Sequence, residues 1–146
     1  MGKITLLLML VFTLFGLFLF QNLSKKSYVF IDTIRFKAEF AETQKSKEIG
    51  LSKYKSIDND FALVFPFEKN TKPVFWMKDM LFPIDIIFVK DYKIIQIYSN
   101  VPNPTDNNGQ LPLYTPKNEA NIVIEINSGL SKKYNFKEGD QIKIIK

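Results

Sequence analysis

The sequence predicts a mainly β domain, a β-sandwich or a barrel with one or two short helices, placed behind an N-terminal transmembrane helix. Roughly seven short segments rich in β-branched and aromatic residues follow one another, with turn signals between them. Little of the chain has the apolar spacing of an amphipathic helix. A long apolar run at the N-terminus supplies the transmembrane helix.

The apolar run extends from Ile4 to Phe20, 17 residues without a charge, which is just long enough to span a bilayer. No small-x-small cleavage signal follows it, and a chain without cysteine cannot carry a lipoprotein anchor. An uncleaved signal anchor is therefore favoured over a cleaved signal peptide. Lysines flank both ends of the run and leave its orientation open. Because short N-terminal tails usually stay inside, we expect a single-pass protein of the cytoplasmic membrane with an extracytoplasmic C-terminal domain.

The predicted organisation has three parts: residues 1–23 as the anchor, residues 24–33 as a linker with a first short strand, and residues 34–146 as the β-domain. Eight basic residues stand against four acidic ones between Lys25 and Lys55, whereas charges balance in the remainder of the domain. Most of the net charge of +5 therefore lies beside the membrane segment, where it can attract anionic headgroups. The neutral body of the domain carries no binding motif for nucleic acid, so nucleic acid is not expected as a partner.

Two residue types are missing from the sequence. The absence of cysteine excludes disulfides and thiolate metal sites, and the absence of histidine removes the commonest metal ligand and general base. Two acidic segments, Asp58–Asp60 and Asp106–Gly109, lack the spacing and the closing glutamate of a calcium loop and are interpreted as turns. We therefore expect no metal and no cofactor.

The first part of the domain predicts two strands and a helix. Tyr28–Ile31 is apolar and β-prone, and Ile34–Glu42 alternates apolar and polar residues as a half-buried strand does. Thr43–Ile49 is polar and fits a short helix with Thr43 as its N-cap. Gly50 is suited to end that helix.

The middle of the domain predicts three more strands. Phe61–Phe65 is a continuous apolar run that fits a buried strand ending at Pro66. Asp85–Val89 and Lys93–Tyr98 are rich in β-branched residues, and only Asp91–Tyr92 separates them. So short a connection predicts a hairpin turn.

The last part of the domain begins with an irregular loop. Val101–Pro116 holds four prolines, and loops of this length are often functional. Asn121–Ile126 then predicts a strand, Ser131–Asn135 a helical turn, and Gln141–Ile145 a final strand.

The candidate site centres on the segment from Pro73 to Val89, which contains the only tryptophan, Trp76, and three charged residues among large apolar ones. In strand geometry Trp76 and Lys78 share one face, and Met80–Pro83 would connect this strand to the next as a hairpin. Asp85 has apolar neighbours, so it is expected to be partly buried and to need a partner. We expect either that Lys78 pairs with Asp85 or that the Met80–Pro83 connection donates backbone N–H bonds to it. In the alternative interpretation Asp85 only fixes the corner of the hairpin.

Glu125 is a second acidic residue within an apolar strand. Alternation places Ile122, Ile124 and Ile126 on one face, and Val123 with Glu125 on the other. Glu125 either faces solvent or lines a cavity together with Trp76 and Lys78, and the pattern does not separate these two possibilities.

Several segments in combination resemble the bacterial and archaeal family known as domain of unknown function 192, also called uncharacterised protein family 0127. The resemblance runs from about Ile34 to Lys146. The matching segments are Lys47–Leu51 with Gly50, Phe75–Lys78, Pro83–Phe88, Tyr114, Glu125–Gly129 with Asn127 and Gly129, and the pair Gly139 and Asp140. The resemblance implies a compact β-sandwich similar to a jelly roll, often behind a signal or membrane segment, and it implies no activity.

The leading functional interpretation is a non-catalytic ligand-binding or interaction module of the cell envelope. Its cleft would use Trp76 to stack on a sugar or another small ligand, with Lys78, Asp85, Tyr114 and Glu125 as further contacts. One alternative is a carboxylate-based hydrolase of envelope glycans, which would use two of the three acids Asp79, Asp85 and Glu125 about 5–10 Å apart. Another alternative is a structural partner of a membrane protein, with Trp76 in the core.

Overall fold

The computed structural model describes Thr13, residues 26–105 and residues 109–146. The strands, in chain order, are β1 (Tyr28–Ile31), β2 (Ile34–Phe40), β3 (Phe61–Thr71), β4 (Ile84–Lys90), β5 (Lys93–Val101), β6 (Ala120–Asn127) and β7 (Ile142–Ile145). The helices are α1 (Gln44–Ile49), a 3₁₀ turn (Gly50–Lys53) and α2 (Leu130–Lys133). The prediction of a mainly β domain with short helices is confirmed for the described part of the chain.

The strands form one curled sheet in the order β5-β4-β6-β3-β2-β1-β7. Neighbouring strands are antiparallel except β2 and β3, which run parallel because α1 and the 3₁₀ turn carry the chain back between them. The two edge strands approach each other at one end, where Lys93 bridges Gln141 and the Ile142 N–H donates to the Tyr92 carbonyl at 2.8 Å. The sheet is therefore a half-barrel rather than two stacked sheets.

Both faces of the sheet are covered. One face packs Val64, Ile87 and Ile124 against Leu130 of α2. The other face packs a second cluster, which includes Phe88 and residues from the loop between β3 and β4. Strands β4 and β6 lie inside the sheet, and both of their faces are covered. Their sequences are therefore largely continuous apolar runs and do not alternate between apolar and polar residues.

Strand β3 continues through Pro66 to Thr71, so the prediction that Pro66 ends it is wrong. The Val64 carbonyl accepts from Ala41 N–H at 2.9 Å, which shows that residue 64 points its backbone groups toward β2. Alternation points the nitrogen of Pro66 to the same side, where β2 has already ended at Phe40. Proline has no backbone N–H to donate, but no neighbouring strand lies on this side to accept such a bond. The sheet therefore loses no hydrogen bond at Pro66.

The segment from Pro73 to Pro83 is a loop, and the predicted hairpin between it and β4 is wrong. Asp79 has a φ of 58°, and Met80 N–H donates to the Met77 carbonyl at 3.1 Å, so the chain turns here instead of extending. The hairpin partner of β4 is β5. Asp91 and Tyr92 join these strands with φ values of 49° and 61°, as the two central residues of a type I′ turn require.

The predicted anchor over residues 1–23 lies outside the described residues, Thr13 excepted. Within the described part of the chain, no helix is both long and apolar enough to cross a membrane.

Candidate functional site

A pocket of about 250 Å³ opens on one face of the sheet, beneath α1 and the loop between β3 and β4. Its base comes from β3, β4 and β6, and its walls come from α1 and residues 73–80. Its lining residues are Gln44, Lys47, Glu48, Ile49, Gly50, Leu51, Phe65, Phe67, Pro73, Val74, Phe75, Trp76, Met77, Lys78, Met80, Ile84 and Glu125. The structure thus brings together three sequence-predicted site residues, Trp76, Lys78 and Glu125.

Glu125 is the buried charged residue of this pocket. Its side chain points to the pocket face because β6 alternates, with Ile124 and Ile126 packed in the core of the opposite face. Glu125 is only 6% exposed, its carboxyl group reaches the pocket space, and within the described chain this group has no hydrogen-bond or ion-pair partner. Burial raises the pKa of Glu125 from 4.5 to about 8. Without a bound ligand, this carboxyl group is therefore largely protonated at neutral pH.

Aromatic rings form much of the pocket wall. Phe65 and Phe75 meet edge to face, with ring centroids 5.0 Å apart and an interplanar angle of 90°. Phe67 presents a ring face to the Lys47 ammonium, whose Nζ lies 4.4 Å from the ring centroid. Trp76 lies at the edge of the pocket and is 52% exposed. The wall therefore offers aromatic surface to a bound molecule, and at Phe67 a ring face already lies against a cation.

A row of aromatic rings in edge-to-face contact extends from Phe75 and supports it. Phe88, Tyr98 and Tyr114 follow Phe75 with successive centroid distances of 6.0, 5.9 and 5.3 Å. Backbone hydrogen bonds of 2.9 Å in both directions also join Phe75 to Tyr114. Tyr114 does not line the pocket, in contrast to its prediction as a ligand contact, and instead holds the loop that carries Phe75 and Trp76.

Helix α1 closes one side of the pocket. Thr43 and Ser46 form a reciprocal capping box at its start, so the predicted short helix with Thr43 as its N-cap is confirmed. Gly50 ends the helix with φ 51° and ψ −136°, a backbone conformation essentially restricted to glycine. A Cβ atom at Gly50 would lie 3.7 Å from the Phe65 ring. The polar side chains of Lys47 and Glu48 project from α1 into the pocket lining.

Asp85 lies on the opposite face of the sheet from the pocket and is fully buried. One carboxylate oxygen accepts from the backbone N–H groups of Asn100 (2.7 Å) and Gly129 (2.9 Å). The other accepts from the Ser131 backbone N–H (2.8 Å) and hydroxyl (2.6 Å). Neither Lys78 nor the Met80–Pro83 connection supplies a partner, so both predicted partners are wrong. Asp85 pins the end of β5 and the start of α2 to β4.

The remaining motif residues have structural roles at turns and strand ends. Asn127 donates to the Ile57 carbonyl at 2.7 Å, which ties β6 to the segment before β3. Gly129 and Gly139 have φ values of 81° and 93°, which favour glycine. Asp140 accepts from the Lys137 N–H at 2.9 Å and closes the last turn. Pro83 is exposed immediately before β4.

Sequence reasoning missed Phe65, Phe67 and Lys47 as pocket residues. Aromatic residues within an apolar strand are more simply interpreted as core residues. Lys47 belongs to a polar helical segment, where a lysine is more simply interpreted as exposed to solvent. One signal was available, because Lys47–Leu51, Phe75–Lys78 and Glu125 all belong to the segments that carry the family resemblance. These segments are far apart in the sequence and meet at one pocket.

The fold and the pocket define a small half-barrel domain with one aromatic-walled pocket and a buried carboxyl group at its base. The chain belongs to the family DUF192, described as "Uncharacterized ACR", whose model matches residues 28–144. The suspected membership of this family is thereby confirmed.

Two crystal structures share the fold. One is a protein of unknown function from Novosphingobium aromaticivorans DSM 12444, 24% identical with a TM-score of 0.71, and the match covers 81% of this chain and 83% of that one. The other, from Sinorhizobium meliloti 1021, is described as a candidate transcription regulator. It is 21% identical with a TM-score of 0.71, covering 82% of this chain and 92% of that one. The search of curated proteins found no significant match.

Proposed function

We propose that the domain is a non-catalytic binding module that takes one small ligand into this pocket. The observation that carries the proposal is Glu125, a residue only 6% exposed whose carboxyl group opens to the pocket and has no hydrogen-bond or ion-pair partner in the described chain. Leaving a buried polar group unpaired costs free energy, and an apolar residue of similar size would cost none. Fold stability therefore does not account for a glutamate here, whereas a ligand that pairs with it does.

The pocket also has the composition of a binding site. Apolar and aromatic walls surround a small number of polar groups, of which Glu125 is the deepest and Lys47 and Lys78 are further ones. Trp76 presents a half-exposed ring on which a ligand can stack. At about 250 Å³ the pocket lies just below the roughly 300–1,000 Å³ of ordinary ligand sites, so the ligand is small.

The two alternatives from the sequence have less support. The glycan hydrolase would use two of Asp79, Asp85 and Glu125 across a cleft, but Asp85 and Glu125 lie on opposite faces of the sheet and Asp79 does not line the pocket that contains Glu125. The structural-partner alternative places Trp76 in the core, and this residue is 52% exposed.

Calorimetry with the full-length protein in nanodiscs tests the binding proposal. A screen of small amines, alcohols, sugars and carboxamides should find saturable one-to-one binding, weakened at least about tenfold by Trp76→Ala. Leu113→Ala is the matched control, because Leu113 is 60% exposed and does not line the pocket. A screen without saturable binding, or equal binding by the Trp76→Ala variant, would overturn the proposal.

We further propose that residues 4–20 anchor the domain in the cytoplasmic membrane, with the domain on the outer side. The support is the uncharged apolar run itself and the basic segment after it. The full chain should stay in the membrane pellet after alkaline carbonate extraction, whereas a chain starting at Lys26 should be released. Accessibility of the C-terminus to protease added outside intact spheroplasts would support the outward orientation, and protection from it would contradict that orientation.

A further inference from the structure

We propose that the ligand of this pocket carries an ammonium group that pairs with the Glu125 carboxylate and lies against the aromatic wall. This inference rests on the proposed binding function and gives it a ligand class. It follows from the Glu125 carboxyl group at the bottom of the pocket, the aromatic rings of the pocket wall and the volume of the pocket.

The base of the pocket excludes two ligand classes. An anion would meet the negative faces of the aromatic rings and would keep Glu125 protonated, so it would gain no charge pairing at the base. A purely apolar molecule would leave Glu125 unpaired and would bury it further. The ligand must therefore present either a cation or a neutral hydrogen-bonding group to the base.

The aromatic wall favours the cation. Phe65, Phe67, Phe75 and Trp76 all line the pocket, and ring faces attract ammonium groups more strongly than neutral ones. The protein already places one ammonium on this wall, since Lys47 Nζ lies 4.4 Å from the Phe67 ring centroid. An ammonium at the base would gain both a ring contact and a charge-assisted hydrogen bond to Glu125. A neutral hydroxyl or amide would gain a weaker hydrogen bond to the same group.

Charged side chains at the pocket restrict the amine further. Lys47 and Glu48 face the pocket from α1, and Lys78 faces it from the loop between β3 and β4. Two lysines against one glutamate leave a net charge of +1 on these three side chains, which repels a second positive charge on the ligand, so a monoamine should bind better than a polyamine. The pocket volume of about 250 Å³ also suits a small monoamine.

Binding of an amine should release a proton. The empty pocket holds Glu125 largely in its neutral form, because burial raises its pKa to about 8. An ammonium beside it favours the carboxylate, so the proton of Glu125 leaves to solvent as the complex forms. At neutral pH a large fraction of one proton should therefore appear per ligand bound, and affinity should rise with pH up to about 8.

The experiment uses three probes of nearly the same shape: benzylammonium, benzyl alcohol and benzoate. Each is titrated into the full-length protein in nanodiscs, at about pH 8, by calorimetry and by the fluorescence of Trp76, the only tryptophan. Benzylammonium should bind at least about tenfold more tightly than benzyl alcohol, and benzoate should bind weakest. Glu125→Gln should abolish the preference for the amine, whereas Glu119→Gln, at an exposed glutamate outside the pocket, should keep it.

Proton release gives a second measurement that needs no variant. Benzylammonium titrations in buffers of different ionisation enthalpy should show release of a large fraction of one proton at about pH 7 and less at pH values above about 8. Equal affinity for benzyl alcohol and benzylammonium, or binding of the amine without proton release, would overturn the amine inference while the binding function stands. No saturable signal from benzylammonium would also overturn the amine inference, and the binding function fails only when the wider screen finds no saturable binding either.

Discussion

Asp85 and Glu125 lie on neighbouring central strands of one sheet, and their side chains point to opposite faces. Asp85 is in register with Ile126, and Glu125 is in register with Ile86. Both carboxyl groups are buried, but their surroundings differ completely. Asp85 accepts four hydrogen bonds from the protein, whereas Glu125 has no partner in the described chain. The first carboxylate therefore serves the fold, and the second is available to a ligand.

Glu125 should make the stability of the empty protein fall as pH rises. Below about pH 4.5 its carboxyl group is protonated in the folded and the unfolded chain alike, so this group adds no pH dependence. Between about pH 4.5 and 8 the unfolded chain loses the proton while the folded chain keeps it, so the free energy of unfolding decreases with pH. At about 1.4 kcal/mol per pKa unit, the full decrease reaches at most about 5 kcal/mol by pH 8.

Urea unfolding at about pH 5 and about pH 8 checks this prediction by comparing variants. Glu125→Gln cannot titrate, so its free energy of unfolding should lack this decrease and exceed that of the wild type at the higher pH. Glu119→Gln is the matched control at an exposed glutamate and should retain the wild-type pH dependence. The same pH dependence in wild type and Glu125→Gln would refute the prediction.

Asp85→Asn should destabilise the fold without affecting the pocket. The amide has one acceptor oxygen in place of two, and its NH₂ group would face donors of Asn100, Gly129 or Ser131. At least one buried N–H loses its partner, and the expected cost is about 3 kcal/mol. Thermal unfolding measures the cost, with Asp58→Asn at an exposed aspartate as the control. An unchanged melting temperature together with weakened ligand binding would assign Asp85 to the site instead.

Gly50→Ala should weaken both the fold and the pocket. An alanine at φ 51° and ψ −136° is strained, which costs about 1–3 kcal/mol, and relief of this strain would shift the end of α1, where the added Cβ would lie in van der Waals contact with the Phe65 ring of the pocket. Gly139→Ala is the comparison, because its φ of 93° is also unfavourable but nothing lies within 4 Å of its Cβ position. Both variants should lose stability, and only Gly50→Ala should lose ligand affinity. Wild-type affinity in Gly50→Ala would show that the end of α1 does not shape the pocket.

Trp76→Ala should change stability by less than about 1 kcal/mol, since half of this side chain is already in solvent. Phe65→Ala, at a residue only 1% exposed in the same pocket, should cost about 3–5 kcal/mol by creating a cavity. Differential scanning calorimetry compares the two variants. A large loss of stability in Trp76→Ala would mean that the tryptophan belongs to the core and not to a binding surface.

The strands could be predicted because their apolar patterns are local. The alternation of Ile34 to Phe40 and the Asp91–Tyr92 turn both act within a few residues, and the structure has both features. The continuation of β3 past Pro66 could not be seen, because it depends on where the neighbouring strand β2 ends. Curling of the sheet into a half-barrel likewise depends on contacts between Lys93 and Gln141 that no local pattern specifies.

The site could be predicted only in part, for the same reason. Trp76, Lys78 and Glu125 could be predicted because a lone tryptophan and charged residues are unusual within apolar segments. The partners of Asp85 lie 15, 44 and 46 residues away along the chain, so the nearer Lys78 was a reasonable but wrong choice. Phe65 and Phe67 could not be separated from core residues, because a pocket wall and a core use the same apolar side chains.

The pKa of Glu125 is the most direct test of the central claim, that this glutamate is a buried and unpaired carboxyl group at the base of a binding pocket. It can be measured by following the ¹³C chemical shift of the side-chain carboxyl carbon across a pH titration, with Glu125→Gln used to assign the signal. If Glu125 is such a group, its pKa should be about 8 in the ligand-free protein. A pKa near the ordinary 4.5 would mean that Glu125 is solvated or paired, and it would contradict the account.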